Sequence, residues 1–513
     1  MIKIAENIKL AIERPESDLL AIAQKRLGAP VKYFKIVKKS LDARDKRNIF
    51  WLYTIAFSAS PVVEDKPDFQ KIEEKRKIAV IGSGPAGLFC AVRLVQYGFK
   101  PVIIERGERV EERRETCLKF FNDRTLNVES NVQFGEGGAG AFSDGKLNTR
   151  TKDGLNRDVL QLFHEFGADE DVLYLNKPHV GSDRLYSVLR NARAFVTENG
   201  GEYLFNTKLI GLKKNGNALR SLILADVRSG EERDLPVDAA VLAIGHSARD
   251  TFEMLAKSGV YMEAKDFAVG VRVEHLAADI GFAQYGEKYR ILPTADYQLV
   301  SHAHERTVFT FCMCPGGVVI PAASEHGGVV VNGMSLHARD GINSNCALMV
   351  QMRREDFAGG DLFAGVRFQR DLERRAYEYG GSDFRAPVQL FGDFALDRLS
   401  SKFGNVLPTY AAGTRFAPLC EVLPSVAVEA LKVAVPDMGR RLKGFDSSDA
   451  VFSGVETRFS SPVKIVRDDD GQSVSLQNLY PCGEGSGYSG GITSSAADGL
   501  KTAEKLFARF AGR

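Results

Sequence analysis

The chain has 513 residues, of which 44% are hydrophobic and 26% charged, and this predicts a globular protein of about three domains. Its 68 basic and 66 acidic side chains nearly cancel, so charge gives no case for nucleic-acid binding by the chain as a whole. No apolar run approaches the ~20 residues of a membrane span, no signal-peptide core is present, and the few cysteines form no disulfide framework, so we expect a soluble, cytoplasmic protein.

Residues 1–70 are predicted to form a small N-terminal α+β domain. The pattern favours a strand near 3–12, a helix over 16–27 with Ser17 as its N-cap, and strands over 33–37 and 49–57. The basic segment 31–47 has two interpretations, a surface for nucleic acid or a partner, and a solvated strand edge. Interruption by Asp42 and Asp45 favours the edge. Residues 60–68 contain two prolines and mixed charge, which is typical of a linker.

A dinucleotide-binding motif follows. The apolar run 78–81 predicts a buried strand, and it leads into Gly82-Ser83-Gly84-Pro85-Ala86-Gly87 and a helix predicted over 86–97. The glycines allow a tight turn, close approach of a pyrophosphate and close helix–strand packing. A second strand, 102–104, ends in Glu105, whose carboxylate can accept hydrogen bonds from ribose hydroxyls.

A second glycine cluster spans 135–145. No apolar strand precedes it, and Phe142-Ser143-Asp144-Gly145-Lys146 does not open a helix, so it is not another such motif. We interpret it as a glycine-rich loop over a cofactor, and the alternative is an ordinary surface turn.

The block 77–106 resembles the FAD-binding start of the large flavoprotein superfamily that includes glutathione reductase and hydroxybenzoate hydroxylase. Two later blocks resemble the returns of that superfamily to its nucleotide domain: 238–246, which ends in Gly245-His246, and 478–485, which holds Gly483-Glu484. The resemblance implies that the acid at 484 meets the ribityl chain of FAD, although aspartate is commoner there. Gly490-Gly491-Ile492 then opens a predicted helix whose N-terminal amides could face the flavin ring.

A closer resemblance covers nearly the whole chain. It rests on FGEGGAGAFSDGK (134–146), GHSARDTFE (245–253), FCMCPGG (311–317), NGMS (332–335), SPVKIVRD (461–468) and GEGSGYSGG (483–491). These motifs are similar to those of a bacterial family of predicted FAD-dependent dehydrogenases, or NAD(P)/FAD-dependent oxidoreductases. The resemblance implies flavin redox chemistry and names no reaction.

Together these observations predict an α/β fold. We expect a discontinuous, Rossmann-like FAD-binding domain (71–255 and 456–513), an inserted mixed α+β substrate or cap domain (256–455) and the small N-terminal α+β domain (1–70). FAD is predicted to bind noncovalently. The predicted cofactor-binding residues are Gly82, Gly84, Pro85, Ala86, Gly87, Glu105, Arg106, Gly137, Gly138, Ser143, Lys146, Gly245, Gly483, Glu484, Gly490, Gly491 and Ile492.

Cys312 and Cys314 are the candidate catalytic residues. The segment 308–314 alternates like a strand, which puts both thiols on one face roughly 7 Å apart. A disulfide then needs a local distortion, which the following Pro-Gly-Gly could supply. Buried structural thiols, redox or flavin-facing thiols and metal ligands stay open as interpretations. His302 and His304 are too distant to complete a metal site if 304–307 is a hairpin turn, and no metal is predicted. Cys117 has no nearby partner, which argues against the glutathione-reductase reaction.

Several other polar residues have two interpretations. Arg249 and Asp250 follow a predicted strand end, where ligands gather, but Asp250 can equally cap a helix over 251–257. Lys464 and Arg467 can hold an anionic substrate or the flavin edge, or form a strand-face salt bridge. His179 and His275 are interpreted as structural.

The leading hypothesis is an FAD-dependent oxidoreductase that transfers hydride between the flavin N5 and a small or lipidic substrate. The alternatives are a flavin-binding electron carrier or redox-regulated partner protein, and an RNA-modifying flavoprotein that only the segment 31–47 supports. The chain contains no second nucleotide motif, but NAD(P)H stays a candidate for a transient electron donor beside ferredoxin and quinone. A small-molecule substrate is expected, and nucleic acid is not favoured.

Overall fold

The computed structural model describes residues 1–62, 69–72, 75–149 and 151–511. The N-terminal part is an antiparallel sheet with a helix packed on it, built from β1 (Lys3–Ala11), α1 (Asp18–Leu27), β2 (Tyr33–Asp42) and β3 (Phe50–Ser58) in the order β1-β3-β2. Leu19 and Ala23 of α1 are buried against the sheet. The helix begins at Asp18 rather than at residue 16, and Ser17 makes no side-chain cap bond. The predicted linker lies largely at residues 63–68, outside the described ranges.

A nucleotide-binding part follows. Its elements are β4 (Ile78–Ile81), α2 (Pro85–Gln96), β5 (Val102–Ile104), α3 (Val110–Asp123), a 3₁₀ turn (Gly138–Phe142), α4 (Leu155–Glu165), a 3₁₀ turn (Glu170–Leu173), α5 (Ser182–Glu198), β6 (Glu202–Leu204), β7 (Thr207–Asn215), β8 (Ala218–Asp226), β9 (Glu232–Pro236), β10 (Ala239–Leu242) and α6 (Arg249–Lys257). The strands β7, β8 and β9 form an antiparallel sheet of their own.

The middle of the chain builds a larger sheet. Its elements are β11 (Met262–Ala264), β12 (Phe267–Leu276), α7 (Ala277–Tyr285), a 3₁₀ turn (Gly286–Ile291), β13 (Val300–Ser301), β14 (Val308–Cys314), β15 (Val318–Pro321), β16 (Val331–Met334), β17 (Asn343–Met352), a 3₁₀ turn (Arg354–Asp356), α8 (Ala364–Gly380), β18 (Ala386–Leu390), α9 (Phe391–Ala395), β19 (Thr414–Phe416), α10 (Leu419–Val422), α11 (Ser425–Arg441) and β20 (Val451–Glu456). Seven strands pair in the order β13-β14-β17-β12-β20-β18-β19, with β18 and β19 parallel and the other neighbours antiparallel.

The chain then returns to the nucleotide-binding part through β21 (Val463–Ile465), β22 (Leu479–Pro481) and α12 (Ile492–Ala511). A parallel sheet results in the order β22-β10-β4-β5-β6, which is the doubly wound Rossmann order with β4 at its centre. The predicted fold class, a mixed α/β protein with a Rossmann-like domain assembled from separate chain segments, is confirmed.

Close glycine contacts hold the returning segment in place. A Cβ on Gly499 of α12 would lie 2.1 Å from the carbonyl oxygen of Ala86, so α12 can approach α2 only with glycine there.

The strand β4 is fully buried, as its continuous apolar sequence predicts for a strand covered on both faces. Within the described part of the chain, no helix is both long and apolar enough to cross a bilayer.

Candidate functional site

The carboxyl ends of β4 and β10 lie at the switch point of the parallel sheet, and we call the open space that Gly84, Gly245, Gly490 and Gly491 border there the crevice. The chain leaves β4 toward β5 on one side and fills the other side later with β10, and open α/β sheets bind ligands at such a switch point. Gly82 has a φ of +98°, and a Cβ there would lie 2.3 Å from the carbonyl oxygen of Ala243. A Cβ on Gly87 would lie 1.9 Å from the carbonyl oxygen of Gly82. The packing of the protein itself therefore requires these two glycines.

Other glycines border open space instead. A Cβ on Gly84 would meet only the Cα of Gly138, at an ordinary contact distance of 3.7 Å. At Gly245, Gly490 and Gly491, a Cβ would have no atom of the described residues within 4 Å, apart from its chain neighbours. Backbone exposed in this way at a switch point can approach a phosphate or a ring closely. The crevice therefore fits a dinucleotide.

Glu105 has a different environment from the one expected. One oxygen of its buried carboxylate accepts hydrogen bonds from the amide and hydroxyl of Ser83 at 2.9 and 2.8 Å, and the other accepts from the amides of Gly107 and Gly135 at 2.9 and 3.0 Å. These bonds fix the turn after β4 to the glycine-rich loop. A ribose contact of Glu105 stays a prediction. Arg106 lies over the ring of Phe134.

The glycine-rich loop, residues 135–146, lies directly on the turn after β4. The amide of Gly137 donates to the carbonyl of Ser83 at 3.0 Å, and a Cβ on Gly138 would lie 3.0 Å from the Cα of Gly84. A Cβ on Gly140 would contact the side chains of Ile492 and Pro85, the first residues of α12 and α2. The loop therefore lies where two helix N-termini converge.

The two later segments of the nucleotide-binding part, 238–246 and 478–485, contact each other and the start of α2. A Cβ on Gly485 would lie 2.5 Å from the carbonyl oxygen of Gly245, and a Cβ on Gly483 would lie 2.6 Å from the Cβ of Ala86. Glu484 Oε1 lies 3.2 Å from Nδ1 of His246, a residue whose side chain is 7% exposed. Among the described residues, Nε2 of this buried imidazole has no hydrogen-bond partner. His246 was not among the predicted site residues.

The Cys312–Cys314 segment departs from the predicted geometry. The pairing of β14 with β17 shifts register between Phe311 and Cys314, and Cys312 has a φ of +41°. The expectation of regular alternation through this segment is wrong, because the bulge inserts an extra position into the strand. Cys312 is half-buried, whereas Cys314 is fully buried.

A buried charged cluster surrounds these thiols. Arg272, in the middle of β12, donates from Nη2 to the Sγ of Cys314 at 3.3 Å and to the carbonyl oxygen of Cys312 at 2.7 Å. The same guanidinium donates to Asn345 Oδ1 at 3.0 Å and to Glu456 Oε2 at 3.3 Å. Burial raises the pKa of Glu456 to about 7, against the attraction of Arg272.

Sequence reasoning missed Arg272 and Glu456. The available signal was an arginine inside the otherwise apolar run Phe267–Val273 of a strand. A charge at such a position is buried and needs a partner, but periodicity does not say which strand supplies it.

The loop and the inserted sheet meet at Asp144–Leu147. Lys146 Nζ donates to the carbonyl oxygen of Met313, and Arg339 forms a two-pronged ion pair with Asp144, with Nε 2.9 Å from Oδ1. The carbonyl of Leu147 accepts a hydrogen bond of 2.7 Å from Thr493 Oγ1, in the first turn of α12. Two consecutive residues therefore join the bulge of β14 to the N-terminus of α12.

The remaining candidates take part in structural contacts. Arg249 is buried in bonds to Glu325, Gln369 and Glu373. Helix α6 begins at Arg249 with Ala248 as its N-cap, so the prediction of Asp250 as N-cap is wrong; Asp250 instead pairs with Arg106 and Lys208. Arg467 pairs with Asp498 at 2.7 Å. The ring Nε2 of His275 lies 2.8 Å from the carbonyl of Phe445, and that of His179 lies 3.0 Å from the carbonyl of His337.

Three family models match the chain. Residues 266–459 match an FAD-dependent protein, C-terminal domain-like; residues 80–111 match an NAD(P)-binding Rossmann-like domain; and residues 1–58 match a domain of unknown function. With the strand order and the crevice, these matches define the class. The protein is an FAD-dependent flavoprotein of the oxidoreductase-like class, and the prediction of FAD as its cofactor is confirmed.

A full-length relative identifies the family. A Clostridium beijerinckii protein named "Uncharacterized protein" is 43% identical over 537 aligned positions, which cover 98% of this chain and 98% of the relative. The chain belongs to the same family of FAD-dependent proteins as this relative. The glutamate synthase [NADPH] small chain of Escherichia coli is 24% identical over 286 positions, covering 39% of this chain and 60% of that protein.

Solved structures of flavoproteins are more distant. A triple mutant of the flavin-dependent brominase Bmp2 is 12% identical, with 85% of this chain and 81% of that chain covered and a TM-score of 0.40. A geranylgeranyl bacteriochlorophyll reductase-like protein from Thermoplasma acidophilum is 10% identical, with 85% and 79% covered and a TM-score of 0.37. The glycerol-3-phosphate dehydrogenase of Bacillus halodurans, complexed with FAD, is 11% identical, with 86% and 66% covered and a TM-score of 0.35.

Proposed function

We propose that FAD binds noncovalently in the crevice, held by the predicted cofactor-binding residues. The turn Gly82–Gly87 and the loop glycines Gly137 and Gly138 would hold the pyrophosphate. Glu105 and Arg106 would hold the adenosine end, and Gly245, Gly483 and Glu484 the ribityl chain. Gly490, Gly491 and Ile492, with Ser143 and Lys146, would border the ring. The observation that carries the proposal is the set of glycines that border open space at the switch point.

We infer that the reaction is hydride transfer between the flavin N5 and a small or lipidic substrate, the chemistry that bound FAD supplies. The support is the position of the Cys312–Cys314 bulge, which Lys146 and Leu147 join to the first turn of α12. The half-buried Cys312 would border the substrate, and Cys314 would lie behind it. The motifs at 134–146, 311–317 and 483–491, which resemble those of the bacterial dehydrogenase family, also support this role.

Residues of the chain would also control the charge around the ring. The α12 N-terminus directs backbone amides toward an anion, which favours the anionic reduced flavin. Arg339 neutralises the buried Asp144, so this carboxylate adds little negative charge near the ring. His246 would fix the orientation of Glu484.

The test is an anaerobic visible spectrum of the purified full-length protein, recorded before and after NADPH and then NADH. We expect an oxidised-FAD spectrum, with FAD released on denaturation because it is noncovalent. Bleaching by either nucleotide identifies the donor. A flavin that stays oxidised with both moves the donor to a thiol, a protein or the substrate. If no flavin is bound even after reconstitution with FAD, the proposal is wrong.

A further inference from the structure

The backbone of Cys312 has an unusual conformation. Its φ of +41° is uncommon for any residue other than glycine, and it falls at the bulge where β14 loses register with β17. Bulges re-aim side chains and are frequent beside active sites. A positive φ in a strand also brings the chain out of the extended form, which shortens the separation of residues two apart. The distortion that a Cys312–Cys314 disulfide requires is therefore built into the strand.

The two thiols share a hydrogen-bonded, positively charged environment. The hydrogen bond from the Cys314 thiol, together with the charges of Arg272 and Lys146, lowers the pKa of Cys312, while burial raises the pKa of Cys314. One thiolate at Cys312 and one thiol at Cys314 is thus the favoured state. Thiol–disulfide exchange proceeds by attack of a thiolate on a sulfur, so a thiolate in this positively charged environment favours it.

The guanidinium of Arg272 cannot move away from this pair. Asn345 and Glu456 hold it from two neighbouring strands. A Cβ on Gly333 would lie 1.9 Å from Nη2 of Arg272, so the space that the guanidinium fills exists only because residue 333 is glycine. Arg272 is therefore a positioning residue that keeps a fixed positive charge at the Cys314 sulfur.

Access differs between the two thiols. Cys312 is partly buried and Cys314 is fully buried, so Cys312 is the more accessible of the two to a compound from solvent. Lys146 bonds the bulge on one side, and the next residue bonds the first turn of α12 on the other. These bonds link the thiol pair to the side of the crevice where the proposed function has the flavin ring.

We propose that Cys312 and Cys314 form a redox-active dithiol that passes electrons from a small thiol compound to the flavin. The inference rests on the proposed function for the position of the ring. In the closing step, a sulfur–sulfur bond forms, the S–H bond of Cys314 breaks, and two electrons and that proton pass to the oxidised flavin. Two molecules of the small thiol then reopen the disulfide through a mixed disulfide on Cys312 and leave as their own disulfide with two protons released. Of these protons, one returns to Cys314 and one goes to solvent.

The first experiment tests the dithiol without relying on flavin. The full-length protein is treated with diamide, free thiols are alkylated, and tryptic peptides are weighed. Cys312 and Cys314 fall in one peptide, 307–339, with no other cysteine. We expect this peptide to lose the mass of two hydrogen atoms and to resist alkylation, while the half-buried Cys420 stays alkylatable. Before oxidation, Cys312 should alkylate at neutral pH about tenfold faster than Cys420. Two free thiols after diamide would overturn the proposal.

The second experiment tests the route to flavin. Anaerobic FAD-loaded protein is mixed with a small dithiol, dithiothreitol, and the visible spectrum is followed. We expect the flavin to bleach in the wild type and in Cys420→Ser, and to stay oxidised in Cys312→Ser and Cys314→Ser. Dithionite should bleach all four, and FAD that stays with each protein through gel filtration establishes that the variants are folded and loaded.

The outcomes separate the two proposals. Equal bleaching of Cys312→Ser and wild type by dithiothreitol would overturn the dithiol route and leave FAD binding intact. Failure of the wild type to bind FAD would overturn the proposed function and the electron route together. Disulfide formation in the first experiment would then support only a dithiol that is independent of flavin.

Discussion

The substitution Gly84→Ala should weaken FAD binding more than it destabilises the protein without FAD. Gly84 is the N-cap of α2 with φ −66° and ψ −178°, a conformation that alanine adopts without strain. Its Cβ would meet only the Cα of Gly138 at 3.7 Å and would otherwise project into the crevice. We expect Gly84→Ala to lower the stability of the FAD-free protein by about 1 kcal/mol or less, the cost of losing glycine at an N-cap.

The effect on FAD should be larger than the effect on folding. Crowding a well-packed site by one methyl group costs about 1–3 kcal/mol, and each 1.4 kcal/mol raises Kd about tenfold. At a free FAD concentration of about a hundred times the wild-type Kd, binding stabilises the folded protein by about 2.7 kcal/mol. A tenfold weaker Kd reduces that stabilisation to about 1.4 kcal/mol at the same concentration. The rise in melting temperature on adding FAD should therefore fall by about half.

Gly87→Ala provides the matched comparison. Its Cβ would lie 1.9 Å from the carbonyl oxygen of Gly82 and 3.2 Å from a methyl of Val80, so the methyl collides with protein rather than with ligand. We expect this variant to lose about 3 kcal/mol without FAD. Thermal unfolding of both variants, with and without FAD, decides the matter. If Gly84→Ala keeps the full FAD-induced rise in melting temperature, the assignment of Gly84 to the cofactor is refuted.

Four further predictions concern buried polar and charged side chains. Burial raises the pKa of Glu136 from 4.5 to about 7, so the wild type should lose about 3 kcal/mol relative to Glu136→Gln as pH rises through that window. Glu373 has the opposite pH dependence. Burial raises its pKa, but neighbouring arginines, Arg249 among them, outweigh burial and lower the pKa to about 2. The contribution of this carboxylate to the stability of the fold is therefore lost as pH falls below about 4.5. Arg249→Met should lower stability by about 3 kcal/mol, measured by thermal unfolding. His246→Phe should raise the Kd for FAD about tenfold, measured by flavin fluorescence, because Glu484 loses its partner.

Each of these has its own control. Exposed Glu202→Gln should leave the pH dependence of melting unchanged, and a similar response in Glu136→Gln would contradict the burial argument. Arg249→Met should keep the wild-type Kd for FAD, since the Arg249 side chain bonds Glu325, Gln369 and Glu373 and none of the predicted cofactor-binding residues. His246→Asn, whose amide can still donate toward residue 484, should bind FAD better than His246→Phe; equal Kd values would argue against the pairing.

Local sequence patterns predicted the nucleotide-binding strand, turn and helix because each step of that motif is decided within a few residues. The buried strand β4, the turn after it and α2 differ from expectation only by one residue at the helix ends. The bulge at Cys312 was not predictable in this way. The extra residue of the bulge is defined only by pairing with β17, more than thirty positions later in the chain. Alternation within β14 alone therefore could not reveal it.

The environment of Glu105 shows a second limit of local patterns. Its place after β5 followed from spacing, but its partners include Gly135, which lies in a loop that spacing does not bring near. The carboxylate of Glu105 accepts hydrogen bonds from backbone and hydroxyl donors of three segments. The residue that the motif suggests for the ribose therefore also organises the loop over the crevice.

The buried Arg272 in the seven-stranded sheet is better explained by a chemical role than by a contribution to stability. A buried ion pair is weak evidence for stability, since apolar residues of similar volume are often as stabilising. Arg272 and Glu456 form an ion pair in the centre of a seven-stranded sheet. A contribution to folding stability therefore does not account for the presence of this pair. What an apolar residue could not supply is a fixed positive charge 3.3 Å from the Cys314 sulfur, with a second bond to the carbonyl of Cys312. The same guanidinium thus fixes the bulge and favours a thiolate within it, which is the combination that a dithiol beside a flavin requires.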